Sequence, residues 1–456
     1  MLALAIATGC RVGPNYRRPA VNIPATYRAD PLAGSSRSFG DLKWWDVFND
    51  PRLQELLRAG LANNYDIRIA ATRIEQAEAN LRIVRSQLFP QVGASASYAR
   101  NQTSGASSII PGVSGFTRGV TSATAGVSWV LDFWGQYRRA AEGARAQLLA
   151  SRDAEEAVRV TLVSQLASSY FQLLELDLEL EATNRALKTR VASLDLTRIR
   201  EAGGVASMLE VRQAESLVTT ARATVPQILQ QTAQVEDAIS ALIGENPRDI
   251  DRGVPLAQQI MPTVPSGLPS ALLERRPDIR GAEQTLVAAN AQIGVARAAY
   301  FPQIALTASG GTQSASLGKL FTPGSRIWSF GPDLSVPIFT AGRIAGQVQL
   351  TEAQRNEAVL RYQQTIQEAF REVSDALIAY QRTTEFRREQ EVLTETYRQA
   401  ASLSQIRYRG GITTYLEVLD SERNVYGAEL TLARARLQEL NAVVELYAAL
   451  GGGWQQ

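Results

Sequence analysis

The sequence predicts an α+β membrane protein built from an internal duplication, a β-barrel continued by very long α-helices. Three observations predict it. The same run of motifs occurs twice at a nearly constant offset. Each copy holds two segments of strand-like alternation, about ten residues each. Each copy then continues for some 65 residues without a proline, far beyond the length of an ordinary globular helix.

The duplication is read from paired motifs. Asp66-Ile67-Arg68-x-Ala70 recurs as Asp278-Ile279-Arg280-x-Ala282, and Phe89-Pro90-Gln91 recurs as Phe301-Pro302-Gln303, both 212 residues on. Ile199-Arg200 to Gly203-Gly204 recurs as Ile406-Arg407 to Gly410-Gly411, and Leu209-Glu210-Val211 as Leu416-Glu417-Val418, both 207 residues on. The difference in spacing therefore falls between Pro90 and Gly135, where a loop can absorb it.

From the N-terminus, residues 1–9 read as a residual signal segment, a short apolar run without the usual basic start. Cys10 is the only cysteine and follows small residues, which suits lipoprotein processing; an incidental thiol is the other reading. Residues 10–63 read as an extended, equatorial N-terminal segment with a short helix near 51–60, and Trp44 and Trp45 as its anchors. Repeat 1 spans 64–244: a helix over 64–88, two barrel strands within 91–134, a long helix over 136–200 and a returning helix over 207–243. A proline-rich linker over 245–275 joins it to repeat 2 over 276–451. That copy has a helix over 276–300, two strands within 303–339, a long helix over 343–407 and a returning helix over 413–450. Residues 452–456 form a C-terminal tail.

Each first helix ends at a Phe-Pro step, which removes a donor and favours an extended exit. In the strands, Val92, Ala94, Ala96 and Tyr98 alternate with Gly93, Ser95 and Ser97. Ala123, Ala125, Val127, Trp129, Leu131 and Phe133 share a face, as do Ile304, Leu306 and Ala308, then Trp328, Phe330, Leu334, Val336 and Ile338. Lipid-facing barrel strands and a half-buried soluble hairpin have this same period. The aromatics Trp129, Trp134, Trp328 and Phe339 near the strand ends are candidate membrane-interface residues. A 65-residue helix would reach ~98 Å, and Leu173, Leu176, Leu180, Leu187, Val191 and Leu194 mark an apolar coiled-coil-like seam along the first. Pro226 is expected to bend the first returning helix. The short and returning helices together nearly match one long helix, so they can stack end to end beside it.

Composition narrows the function. There is no histidine, which removes the commonest general base and neutral metal ligand. One cysteine excludes an internal disulfide or a thiolate cluster. No enzyme, metal or cofactor is expected, only a covalent lipid on Cys10. A net charge of +2 implies no nucleic-acid partner. No run of 18 apolar residues is present, so any spanning region must be a barrel. Four strands cannot close one, because open edges are not tolerated in hydrocarbon. Two copies or three would suffice.

The chain resembles the outer membrane factor family, in its lipoprotein efflux branch associated with resistance-nodulation-division pumps. The resemblance is carried by Cys10-x-Val12-Gly13-Pro14-x-Tyr16-x-x-Pro19 and Trp44-Trp45-x-x-Phe48-x-Asp50-Pro51-x-Leu53. It continues in Leu273-x-Arg275-Arg276-Pro277-Asp278-Ile279, Ile293-Gly294-Val295-Ala296-Arg297-x-x-Tyr300-Phe301-Pro302 and Leu446-Tyr447-x-Ala449-Leu450-Gly451-Gly452-Gly453-Trp454. It implies a homotrimer in the outer membrane, with a twelve-stranded barrel, a periplasmic helical barrel, and partners in a periplasmic adaptor, an inner-membrane pump and outer-membrane lipids. It also matches Leu416, Asp420 and Arg423 to the lumen-facing periplasmic gate: an apolar constriction, a carboxylate ring and a salt-bridge residue. Their spacing of i, i+4 and i+7 puts them on one helix face, which a solvated face also satisfies. The first copy has Leu209, Gln213 and Ser216 there. The double glycines Gly203-Gly204 and Gly410-Gly411 permit tight reversal and mark the tips where an adaptor could dock. The rival reading is a non-conducting trimeric helical scaffold, adhesin-like. The cargo is not legible.

Overall fold

The computed structural model describes residues 11–28, 39–104, 116–259 and 269–452. Cys10, the signal segment, residues 260–268 of the linker and 453–456 of the tail lie outside the described residues. The helices are α1 (Trp44–Val47), α2 (Pro51–Asn63), α3 (Tyr65–Ser86), α4 (Gln136–Ala202), α5 (Met208–Leu242), α6 (Pro269–Arg275), α7 (Pro277–Ala298), α8 (Arg343–Arg409) and α9 (Tyr415–Ala449). The strands are β1 (Gln91–Gln102), β2 (Thr117–Leu131), β3 (Gln303–Ser314) and β4 (Arg326–Ser335). The duplication is visible in the lengths: α4 and α8 each have 67 residues, α5 and α9 each 35, α3 and α7 each 22. Among the described residues, no helix is long and apolar enough to cross a membrane.

The chain divides into two compact units. One holds residues 1–20, 73–151 and 281–362; the other holds 21–72, 152–280 and 363–456. In the first, the strands form one antiparallel sheet in the order β1-β2-β3-β4. The register runs through Ala94–Ala125 and Ala125–Gly310 to Gly310–Trp328. The start of α4 is capped by Asp132, whose carboxylate accepts from the Tyr137 and Arg138 amides at 3.0 Å each. That is the usual answer to unsatisfied first-turn donors.

Residues 11–20 of the N-terminal segment belong to this unit. The Val12 amide donates to the Trp134 carbonyl at 3.0 Å. The Arg139 guanidinium is buried and donates to the Val12 and Gly13 carbonyls, to Asn15 Oδ1 and to Glu142. Asn290 Nδ2 reaches the Pro14 carbonyl at 2.9 Å, and Tyr16 and Arg18 both donate to Glu283. Gly294 in α7 lets this strap lie against the helix, because a Cβ there would come within 2.8 Å of the Val12 carbonyl oxygen.

In the second unit, Asp50 is fully buried and organises the entry to α2. Its carboxylate accepts from the Arg52 and Leu53 amides, from the Tyr170 hydroxyl at 3.1 Å and from the Val254 amide at 2.9 Å. Such a charge is tolerated only because every oxygen is used. Leu53, Leu56 and Leu57 of α2, Leu166, Phe171 and Leu173 of α4, and Leu446 and Tyr447 of α9 are all buried within this unit. α5 continues through Pro226; the expected bend does not interrupt it.

Candidate functional site: the sheet faces and the helix tips

The register sorts the sheet residues into two faces, since partners in a ladder share a side and neighbours along a strand do not. One face carries Val92, Ala94, Ala96 and Tyr98 of β1, Ala123, Ala125, Val127, Trp129 and Leu131 of β2, Ile304, Leu306 and Ala308 of β3, and Trp328, Phe330 and Leu334 of β4. Its middle is apolar from edge to edge, with Thr121, Thr312, Arg100 and Arg326 toward the loop ends. The other face is built of small and hydroxylated residues that bond across the ladder. Ser95 pairs with Thr124 at 3.1 Å, Ser97 with Ser122 at 2.8 Å, and Ser309 with Ser329 at 2.8 Å. An apolar face opposite a polar one is what a membrane barrel strand requires.

The four interface aromatics behave differently. Trp328 and Phe339 are openly exposed. Trp129 is exposed with its indole N–H on the Leu88 carbonyl at 3.0 Å. Trp134 does not stand free toward lipid: its ring stacks on Phe301 at 4.7 Å and its N–H donates to the Pro302 carbonyl at 2.7 Å. Its aromatic surface and its polar atom are both used in joining the exit of β2 to the entry of β3. Tyr98, Arg100 and Arg326 stand exposed toward the loop ends of the two edge strands, β1 and β4.

The turns that close the long helices are two copies of one motif. After α4, the Gly204 amide donates to the Glu201 carbonyl and the Val205 amide to the Arg200 carbonyl; after α8, Gly411 and Ile412 repeat this with Tyr408 and Arg407. This is the Schellman arrangement, and it needs a left-handed residue after the cap. Gly204 has φ of 73° and Gly411 of 72°, while Gly203 and Gly410 keep negative φ. Ser207 then caps α5, its hydroxyl accepting from the Glu210 amide at 3.3 Å.

In the first turns of α9, Leu416, Asp420 and Arg423 are all exposed. Asp420 accepts from Asn424 at 3.3 Å, and Arg423 has no side-chain partner among the described residues. In α5, Leu209 and Ser216 are exposed and Gln213 is half-buried, with the Ser216 hydroxyl on the Gln213 carbonyl at 2.8 Å.

The opposite face of α9 is committed to the first copy. Tyr415 and Val418 pack with Leu194, Val211, Ala214, Val218 and Tyr408. Beside them Glu422 is buried and accepts from Ser193 of α4 at 3.0 Å and from Gln405 of α8 at 3.1 Å. Burial pushes its carboxyl up, opposed by those two hydrogen bonds and by Arg190. Burial likewise lowers the Arg190 guanidinium, which lies 4.8 Å from the Tyr426 ring centre. A cavity of about 310 Å³ adjoins both. Farther along, the Tyr426 and Thr183 hydroxyls meet at 3.0 Å and Arg434 pairs with Glu179 at 3.0 Å. Polar bonds thus stitch α4 to α9 from Glu422 to Arg434.

A two-faced antiparallel sheet and a repeated pair of long helices fit the class of outer-membrane export channels. The chain belongs to the outer membrane efflux protein family, which matches residues 56–245 and 268–452. It is 38% identical over 462 residues to the solvent efflux pump outer membrane protein SrpC of Pseudomonas putida, covering 100% of this chain and 97% of that protein. It is 32% identical to the cation efflux system protein CusC of Escherichia coli O6:H1, covering 100% and 98%. Its fold superposes on the open-state MtrE outer membrane channel of Neisseria gonorrhoeae with a TM-score of 0.87, 32% identity, and coverage of 98% and 99%. This protein is accordingly an outer-membrane channel component of an efflux system, a reading these relatives favour over a non-conducting scaffold.

Proposed function

We propose that three copies of the chain close a twelve-stranded barrel, continued by a helical barrel in the periplasm, and that this trimer is the final conduit of a tripartite pump. An open four-stranded sheet with one apolar face carries the reading. β1 and β4 each lack a second partner in the described chain, and hydrocarbon tolerates no unpaired strand edge. Heterologous pairing of β4 on one copy with β1 on the next satisfies both edges and closes on itself.

The exposed trio of α9 then has a task. Threefold symmetry brings Leu416 together as an apolar constriction and Asp420 as a carboxylate ring, with Arg423 free to pair across a subunit boundary. Gln213 and Ser216 make the first copy uncharged at these positions, so the ring is threefold and not sixfold. The tip turns at Gly203-Gly204 and Gly410-Gly411 present exposed Val205 and Ile412 to a periplasmic adaptor, which in turn links an inner-membrane resistance-nodulation-division pump. A lipid on Cys10 anchors the strap to the outer membrane beside the barrel. Solvents, antibiotics and cations appear in the names of the relatives, and small-molecule efflux is the shared theme.

Reconstitution in planar bilayers, with mass measurement in detergent, tests the reading. A stable pore from a particle three times the 49.6 kDa chain is expected. A monomeric, non-conducting protein that extracts without detergent would overturn it.

A further inference from the structure

The membrane-crossing segments are strongly polarised in charge. Residues 91–131 and 303–335 contain one acidic residue, Asp333 at the helix-side end of β4, and their basic residues are Arg100, Arg118, Lys319 and Arg326. All four lie at or beyond the strand ends remote from the helices. Arg100 pairs in register with Gly119, and Arg326 with Thr312. Following the ladder through Ala96–Ala123 and Ala123–Thr312 puts Arg100 and Arg326 on the apolar face, whereas Arg118 falls on the hydroxyl face.

Two residues inward on that same face stand Tyr98 and Trp328, 66% and 82% exposed. Each edge strand therefore ends in an aromatic ring followed outward by a guanidinium. Neither Arg100 nor Arg326 has a carboxylate or any other side-chain partner among the described residues, and Lys319 in the β3–β4 connection has none. A lone guanidinium beside hydrocarbon is costly unless an anion meets it. Aromatic rings at this depth mark the boundary between acyl chains and headgroups, so the arginines lie in the headgroup layer.

We infer that Arg100 and Arg326, with Lys319 nearby, form a docking surface for the phosphate groups of anionic lipid headgroups in the leaflet around the loop ends. The assignment rests on the closed-barrel reading. In that ring β4 of one copy adjoins β1 of the next, and every subunit boundary carries Arg326 from one side and Arg100 from the other. The bidentate geometry of guanidinium suits phosphate oxygens. The bound lipid then bridges two copies at the outer end of the barrel, where the sequence supplies no acidic residue to do so.

The test places wild type and Arg100→Ala/Arg326→Ala protein in phosphatidylcholine vesicles doped with a dansyl-labelled, bisphosphorylated glycolipid, and reads tryptophan-to-dansyl energy transfer. Wild type should enrich this lipid over its dephosphorylated form. The double alanine variant should lose roughly thirtyfold in apparent affinity, at about one Boltzmann-scaled kilocalorie for each basic group. Arg100→Lys/Arg326→Lys should retain most of it. Equal transfer from the phosphorylated and dephosphorylated lipids, or no loss in the alanine variant, overturns the assignment. Displacement by millimolar inorganic phosphate overturns it too, as it marks a free-anion site. Pore formation is recorded in the same vesicles. Absence of a wild-type pore defeats the barrel reading itself, whereas intact pores with phosphate-indifferent transfer defeat the lipid assignment alone.

Discussion

Replacing Glu175 by Gln should remove a pH dependence that the helical unit otherwise carries. Glu175 and Glu179 lie one turn apart on α4, both buried, beside a cavity of about 450 Å³ lined also by Gln172, Gln231 and Gln234. The charged groups facing the pair are Glu179 itself and Arg434 of α9, which holds Glu179 at 3.0 Å; α5 contributes uncharged amides. Burial first, then the charge and hydrogen bond of Glu179, push the Glu175 carboxyl up from 4.5 to about 8. At neutral pH it is therefore a protonated donor to Glu179. A raised carboxyl stabilises the fold fully below its unfolded value, and that contribution drains away as pH climbs through the folded value. The window is thus pH 4.5 to about 8. The full shift corresponds to a ceiling of about 5 kcal/mol. Because the proton is shared with Glu179 and nearby water can enter, about 2 kcal/mol is the working expectation. Thermal unfolding followed by circular dichroism from pH 4.5 to 9 is the assay. Wild type should lose stability across the window while Glu175→Gln stays nearly level, and the variant should be the more stable protein at pH 9. Parallel curves for the two proteins would refute the reasoning.

Other perturbations address the tips, the strap and the gate. Gly411→Ala forces a side chain into φ of 72° and should cost about 1 kcal/mol, whereas Gly410→Ala should cost much less; equal denaturant midpoints would contradict the turn assignment. Arg139→Ala strips donors from the Val12 and Gly13 carbonyls and leaves Glu142 short of a partner, for about 3 kcal/mol. Limited proteolysis should then cut within residues 11–18, and continued protection would count against the strap. Asp420→Ala should loosen the closed state by about 1 kcal/mol, seen as a higher open fraction in single-channel recordings; unchanged conductance would remove Asp420 from the gate.

Much of the fold was legible because its signals are local. Phe-Pro steps end α3 and α7 within a few residues, double glycines end α4 and α8, and the missing prolines between announce the long helices. The duplication strengthened each reading by presenting it twice. What stayed hidden depends on long-range pairing. Nothing near Arg139 in sequence shows that it will hold Val12 and Gly13, 127 and 126 residues away. Glu422 and Asp420 are equally plausible as surface carboxylates in a helical stretch; packing against α4 and α8 buries one and leaves the other open. The surroundings of Trp134 were hidden for the same reason, since its partner Phe301 comes from the other repeat.

The hydroxyl pairs across the sheet have a kinetic consequence. Ser95 with Thr124, Ser97 with Ser122, and Ser309 with Ser329 satisfy one another across the ladder. In the proposed barrel a passing solute would therefore meet a wet wall with few idle donors, and glycines such as Gly93 and Gly331 leave open space beside it. Such a lining should hold nothing for long, so dwell times should stay short for chemically unlike molecules.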